Sequence, residues 1–516
     1  MTSDAGLTTT DPQLDTLEAK GLIRLATYQP ELEYLFRHWL VQDTAYGSLL
    51  RQERRDLHGR VGDALEALYP DRRGELAAVL AMHFEEAGDT EKALDYLGAA
   101  GRYALERNAL QEGFSAFDRA AALVAPRVDG EPAAVTRRRV EIAFGRSRAS
   151  WTFRPIVEII AETEGLLDDA ELTGDLELIA QIHLHLALAR LQTGDNASDP
   201  VVKRSLDRVV EIGEQLGDPT LRALPLALTG LMQVFAGPIR QGVVTLEQAV
   251  PMMEGRKDFI GAAFARGALA IGYANLGDFE KADAAARNAT ELAKDADLIA
   301  QLDAEIAEAW VASTEGRLDA AMPLAKACIS RAEETGASAC VMASSWILGD
   351  LYDRQGRFEE ARVALQRGTD ISALVDRTAW RPTLVAWLGG TMAALGEADG
   401  NDVDEALAIA RSVHNTMGEA NILAKRAQTT ARRGDPEAAL VDFAAAAAVF
   451  EAEGARPTLA RVLHGWGEAL RAAGRDAEAD ATLRRALGLF EELGIAGEAG
   501  VVRTLLALGG KTIAFE

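Results

Sequence analysis

Small residues at fixed offsets, more than bulky apolar ones, set the pattern of this chain. Between residues 230 and 486, glycines recur at Gly237, Gly277, Gly316, Gly356, Gly396, Gly434 and Gly474, spaced 38 to 40 residues apart. Seven residues before each stands Gly230, Ala270, Ala309, Gly349, Gly389, Ala427 or Gly467. Five after come Gly242, Ala282, Ala321, Ala361, Ala439 and Ala479, and twelve after come Ala249, Ala289, Cys328, Gly368, Ala446 and Ala486. A period of this size predicts stacked helical hairpins. The glycine ends a first helix in a left-handed conformation without a Cβ clash. Acidic residues such as Asp278, Asp435 and Glu359-Glu360 then open the second helix, where they suit the helix dipole. The small residues are expected where paired helices come closest, because overpacking there costs about 1–3 kcal/mol. Strand signals of period two are almost absent.

The spacing resembles the tetratricopeptide repeat, whose pattern has a small residue, a Tyr, a turn Gly and two further Ala. Tyr273 and Tyr352 stand at the tyrosine position, four before their glycines. The period exceeds the family's 34, so each helix is expected to be longer. The Gly396 unit departs further: Glu397-Ala398-Asp399-Gly400-Asn401 is inserted and its second helix should begin near Val403. The resemblance implies an all-α fold, a right-handed helical-hairpin solenoid whose first helices line a concave face. Trp310, Trp346, Trp387 and Trp466 fall on those first helices and are candidate partner-binding anchors.

Upstream, Leu14 to Gly21 reads as a short amphipathic helix. Leu22–Ala26 and Glu33–Phe36 read as two strands around a turn at Gln29-Pro30, and a helix should run from about Arg37 to Leu50. Helix, hairpin and helix form the tail of a winged-helix domain. The run Tyr34-Leu35-Phe36-Arg37-His38 with Leu40-Val41-Gln42-Asp43, Ala45-Tyr46 and Leu49-Leu50, then Arg54-Arg55-Asp56-Leu57-His58 and Ala64-Leu65-Glu66, resembles one bacterial signalling family. In that family a class III nucleotide cyclase or another effector precedes a STAND-type ATPase, a winged helix and a helical repeat tail. The resemblance implies a nucleotide-sensing role for His38, while Trp39 replaces a small residue usual there. No phosphate-binding loop precedes this region, and Gly509-Gly510-Lys511-Thr512 imitates only the end of one, with Leu505 in place of its first glycine. The expected partition is a winged-helix remnant and linking helix at 1–70, first repeats at 71–125, divergent repeats at 126–220, and regular repeats with a capping helix at 221–516. By this reading the chain is the C-terminal regulatory part of such a protein or a free-standing relative.

Net charge sharpens the picture. At −25 over 516 residues the surface repels phosphate backbones, so nucleic acid is an unfavoured partner. The winged helix's groove-facing stretch, Leu14 to Lys20, sets one lysine against two acids. Cys328 and Cys340 cannot build a disulfide framework or a zinc site, and Cys328 fills a small-residue core position. His183 and His185 are two apart on a helix and point to different sides; His58, His83, His414 and His464 have no ligand partners at metal spacing. Arg137-Arg138-Arg139, followed by Glu141, reads as a helix face paired with acids. No catalytic constellation, cofactor or metal site emerges. The N-terminus lacks a basic-then-apolar signal and the charge-free stretch Ala223–Ile239 reads as core helix, so a cytoplasmic protein with no membrane contact is expected. These features point to a non-enzymatic protein- or peptide-binding scaffold of a signalling system, with an ATPase or cyclase module separate or missing. The alternatives are a DNA-binding regulator and the tail of a protein named for its cyclase or ATPase half.

Overall fold

The computed structural model describes residues 12–27, 33–107, 109–128, 130–195, 199–254, 259–296, 298–375, 380–397 and 401–508. The Gln29-Pro30 turn and the Gly509–Thr512 run lie outside them, as does part of the insertion after Gly396. The chain divides into two compact units, 1–126 and 127–516.

The first unit contains α1 (Pro12–Ala19), an antiparallel pair β1 (Ile23–Thr27) and β2 (Glu33–Phe36), α2 (Trp39–Ser48), α3 (Arg51–Leu68), a 3-10 turn at Pro70–Arg72, α4 (Ala77–Ala87), α5 (Thr90–Glu106) and α6 (Leu110–Leu123). The hairpin pairs Ile23 with Phe36 and Leu25 with Tyr34. Phe84 of α4 is buried, and a Cβ at Gly62 of α3 would lie 2.7 Å from its ring, so this glycine lets α3 close on α4. Asp89 caps α5 by accepting from the Lys92 amide at 3.1 Å.

The second unit is a series of helix pairs. It begins with α7 (Ala133–Ala149), α8 (Ile156–Thr173), α9 (Leu176–Gln192) and α10 (Pro200–Leu216). The regular array follows as α11 (Thr220–Ala236), α12 (Ile239–Glu254), α13 (Phe259–Leu276), α14 (Phe279–Ala293), α15 (Leu298–Glu315), α16 (Leu318–Thr335), α17 (Ser338–Arg354) and α18 (Phe358–Val375). It ends with α19 (Arg381–Ala394), α20 (Asn401–Ser412), α21 (Thr416–Arg432), α22 (Pro436–Glu453), α23 (Arg456–Ala472), α24 (Asp476–Glu492) and α25 (Ala496–Leu508). Each helix packs on the next. The odd-numbered helices from α11 to α23 also pack on one another and form the inner layer, with the even-numbered ones outside.

Within each pair the small residues sit at the contact. Ala282, Ala321, Ala361, Ala439 and Ala479 are all fully buried. A second correlation lies beneath this one. At three of the four places where the residue seven before the turn is glycine, Gly230, Gly349 and Gly467, a leucine stands nine after the turn: Leu246, Leu365 and Leu483; at the fourth, Gly389, ahead of the insertion, Val403 is the neighbour instead. An added Cβ would come 2.6, 2.4 and 2.5 Å from the Cγ of those leucines. Where that residue is Ala270 or Ala309, its counterpart is Ala286 or Ala325. In these five units small faces large or medium faces medium, which keeps one helix separation, whereas Ala427 has Phe443 as its counterpart.

The turn glycines at 277, 316, 356, 396, 434 and 474 all have φ between 71° and 86° or at 91°. Gly237 differs from the expected left-handed turn: its φ of 91° is joined to a ψ of 151°, so α11 ends in an extended residue ahead of Pro238. The array is also closed by a seam between distant repeats. Thr416 donates to the Ala236 carbonyl at 2.8 Å and the Ile239 amide to Glu453 at 3.0 Å. A Cβ on Gly277 would lie 2.4 Å from Leu493, and one on Gly316 3.0 Å from Glu498. The early turns therefore seat on the ends and starts of late helices. Among the described residues no helix is long and apolar enough to cross a membrane.

Candidate binding face of the regular array

Register decides which tryptophans meet. Trp310 stands six, Trp387 nine and Trp346 ten residues before their turn glycines. At 3.6 residues per turn these three offsets share one helix face. Trp466, eight before Gly474, falls off that face. Trp310, Trp346 and Trp387 come together on the inner layer. Trp346 lies 4.7 Å from Trp310 and 5.7 Å from Trp387, ring centroid to centroid. Trp466 packs on the same extended core as Trp387 but makes no ring contact with the cluster among the described residues, and its indole nitrogen is buried without a hydrogen-bond partner.

Two rings join that were not anticipated. Phe235, at the end of α11, is 5.5 Å from Trp310 in an edge-to-face arrangement. Trp380, just ahead of α19, lies 5.9 Å from Phe235 and 6.3 Å from Trp346. Trp387 is buried, and the other four rings are half-buried. Trp310 donates to Asn275 and Trp387 to Asp350, each at 3.0 Å. The Trp346 indole nitrogen has no partner.

The charges beside this cluster are matched. Lys425 of α21 and Asp353 of α17 form a buried ion pair at 2.6 Å, with Arg432 3.6 Å from the same carboxylate. Burial works against the Asp353 charge, yet Lys425 and Arg432 outweigh it and hold its pKa below the usual value. Lys425 also lies 5.5 Å from the Trp387 ring centroid. Glu498 of α25 accepts from Arg354 at 2.9 Å and from Arg461 at 2.7 Å. Its pKa is lowered too, the two guanidiniums overcoming burial. Arg354 and Arg461 reach further, to the carbonyls of Ser313 and Thr314. Beside the cluster, Asp353 and Glu498 thus already have cations, and what is left partly open there is aromatic surface.

The remaining candidates are scattered. His38 precedes α2 with its side chain exposed and not capping the helix. Arg137 pairs with Glu141 and Asp175, and Arg139 with Glu131. His183 bonds Ser205 at 3.3 Å, while His185 bonds Ser147 at 3.1 Å, so the two address different helices. Burial, aided by Arg148, pushes His185 down to about 3. Cys328 is free and buried, and burial lifts its thiol to about 11. His58 and His83, 25 residues apart, meet with their Nδ1 atoms 2.9 Å apart, which spacing alone could not show. Among the described residues no three His, Cys, Asp or Glu side chains could hold a metal ion.

Residues 344–373, covering most of α17 and α18, match the tetratricopeptide repeat family model. Over 102 residues the chain is 35% identical to Uncharacterized protein R02095 of Rhizobium meliloti (strain 1021), a match that covers 19% of this chain and 10% of the relative's length. A Rap protein solved in complex with Competence and Sporulation Factor superposes with a TM-score of 0.51 at 15% identity, covering 70% of this chain and 99% of that one. A STAND protein with a tetratricopeptide repeat sensor, from Pyrococcus horikoshii, is similar at a TM-score of 0.43 and 15% identity, over 76% of this chain and 57% of that one. The chain is an all-α, tetratricopeptide-like helical solenoid.

Proposed function

We propose that this chain is a non-enzymatic regulatory scaffold whose inner face holds a peptide or an extended segment of a partner protein. The observation that carries this is the convergence of Phe235, Trp310, Trp346, Trp380 and Trp387 into one cluster, four of them half-buried with part of their surface open. Aromatic side chains that are rigid and partly open make strong anchors, because they bury much area at little entropic cost. The neighbouring ion pairs are internal, so the bound segment is expected to present apolar or aromatic groups rather than a run of basic ones. The Rap protein of similar fold, solved with Competence and Sporulation Factor, is a parallel for such a role.

We read residues 1–70 as the winged-helix remnant and linking helix of a STAND-type regulator, the repeats from 71 on as its sensor, and the whole as cytoplasmic. The partition at 71–125, 126–220 and 221–516 is part of the same reading. The DNA-binding alternative has no observation in its favour. In α1, Glu18 already accepts the Leu25 amide at 3.1 Å, and the helix buries no residue.

The test is panning a displayed random-peptide library on the whole chain, then measuring the binders against Trp346→Ala and Trp466→Ala. Loss of about tenfold or more in affinity at Trp346, with Trp466→Ala unchanged, is the expected outcome. No binders at all, or equal binding by Trp346→Ala and wild type, would count against the inner face.

A further inference from the structure

Helix α2 is joined to the first repeats by a chain of three side chains. The Tyr46 hydroxyl of α2 lies 3.0 Å from His58 Nε2 on α3, and His58 Nδ1 lies 2.9 Å from His83 Nδ1 on α4. Since α2 buries no residue of its own, its seat depends on such contacts. Two like ring nitrogens facing each other are a constraint, because a neutral imidazole carries one N–H and one lone pair. One ring donates across the gap and the other accepts. Tyr46 suits either arrangement, since a hydroxyl both donates and accepts. A first extra proton is also accommodated: a charged His58 donates from Nε2 to Tyr46 and from Nδ1 to His83. A second is not. With both rings charged, two N–H groups point at each other across 2.9 Å, and the link breaks.

The charges packed around the pair do not relieve that conflict. Arg54 and Arg55 stand one turn before His58 on α3. Arg54 lies 5.3 Å from the Tyr46 ring centroid, and Arg55 donates to the Ala87 carbonyl at 3.1 Å. The carboxylates are engaged elsewhere. Glu53 accepts the Leu50 amide at 2.7 Å and Asp56 accepts from Gln52 at 2.8 Å. Asp63 pairs with Lys92 of α5 at 2.7 Å, and Glu85 of α4 with Arg119 of α6. Glu86, three residues past His83, is exposed to solvent. Burial and the His58 charge both hold His83 below its ordinary value. A histidine lowered in the folded state stabilises the fold fully above about pH 6.5 and loses that contribution as the pH falls below it.

We propose that Tyr46, His58 and His83 form a proton-operated latch, which holds α2 on the first repeats while no more than one imidazole is charged and releases it when both are. The latch lies within the first unit and does not depend on the inner-face reading of the array.

Nuclear magnetic resonance of the full chain with isotope-labelled histidine should show His58 and His83 titrating as a coupled pair, in two steps more than about one pH unit apart. Independent titration of both near 6.5 overturns the proposal. Hydrogen exchange, corrected for its intrinsic pH dependence, should show α2 losing about tenfold in protection between about pH 7.5 and about pH 5, while α5 and α6 keep theirs. His83→Gln keeps a hydrogen-bonding partner for His58 but takes no charge, so its α2 should stay protected over the same range. Tyr46→Phe should lack that protection at both ends. A wild-type α2 indifferent to pH, or an equal loss in His83→Gln, overturns the latch. Should His83→Gln fail to fold by circular dichroism, the wild-type histidine titration decides.

Discussion

The divergent helices α7 to α10 and the regular array from α11 onward use the same unit, a packed helix pair, and hold it together by different chemistry. In the array the contacts are made by what is missing: alanine and glycine at fixed offsets, with Leu246, Leu365 and Leu483 filling the gaps left by three of the glycines. In the divergent pairs polar side chains bridge the helices. Ser147 lies 3.2 Å from Thr163 and 3.1 Å from His185, His183 bonds Ser205, and Arg146 reaches Glu162 at 3.0 Å. Close packing needs one side-chain size per position and therefore writes a period into the sequence. Hydrogen bonds need only a donor and an acceptor within reach, and many residue types at many offsets serve. Regularity of sequence here reports the kind of glue, not the presence of the fold.

The sharpest break in that contrast is the array's own buried ion pair. Asp353→Ala leaves Lys425 buried without its counter-ion and should cost about 3–5 kcal/mol in urea denaturation, more than removing any single hydroxyl between the divergent helices. Acidification separates the regions next. The folded state keeps His185 neutral down to about 3, whereas the unfolded chain takes up the proton near 6.5. Stability from this group is complete above about 6.5 and falls by roughly 1.4 kcal/mol per pH unit below it, so about 2 kcal/mol is gone at pH 5. Asp353 and Glu498 have lowered values, so their contribution persists until the pH falls below the ordinary carboxylate range near 4. Hydrogen exchange at pH 5 should show α7 to α9 opening while the array stays protected, and His185→Gln should remove the difference. The smallest effect belongs to Ser147→Ala, about 1 kcal/mol from lost hydrogen bonds. A larger loss would show that packing, not polar bridging, holds these helices.

The fold was legible where packing is monotonous. The turn glycines, the alanines after them and the acidic caps at Asp278 and Asp435 each obey a local rule. The pattern does not extend to Gly194, because five residues after it, where the array has a small side chain, stands Asp199, which caps α10 through the amides of Val201 and Val202. The site was half legible. Trp310, Trp346 and Trp387 share a face that their offsets disclose, and the same arithmetic separates Trp466. Phe235 and Trp380 carry no such sign, since they reach the cluster from a helix end and a connecting segment. The link from Glu498 to Arg354 and Arg461 joins residues up to 144 apart, a distance over which no local pattern operates.

The seam has a mechanical consequence. A stack in which every repeat touches only its neighbours can fray from an end, one unit at a time, like beads leaving a string. Here Thr416 is fastened to Ala236, Leu493 rests on Gly277, and Arg461 grips Thr314. Peeling away the last hairpins would strip support from the earliest ones, so neither end of the array is free to come apart alone.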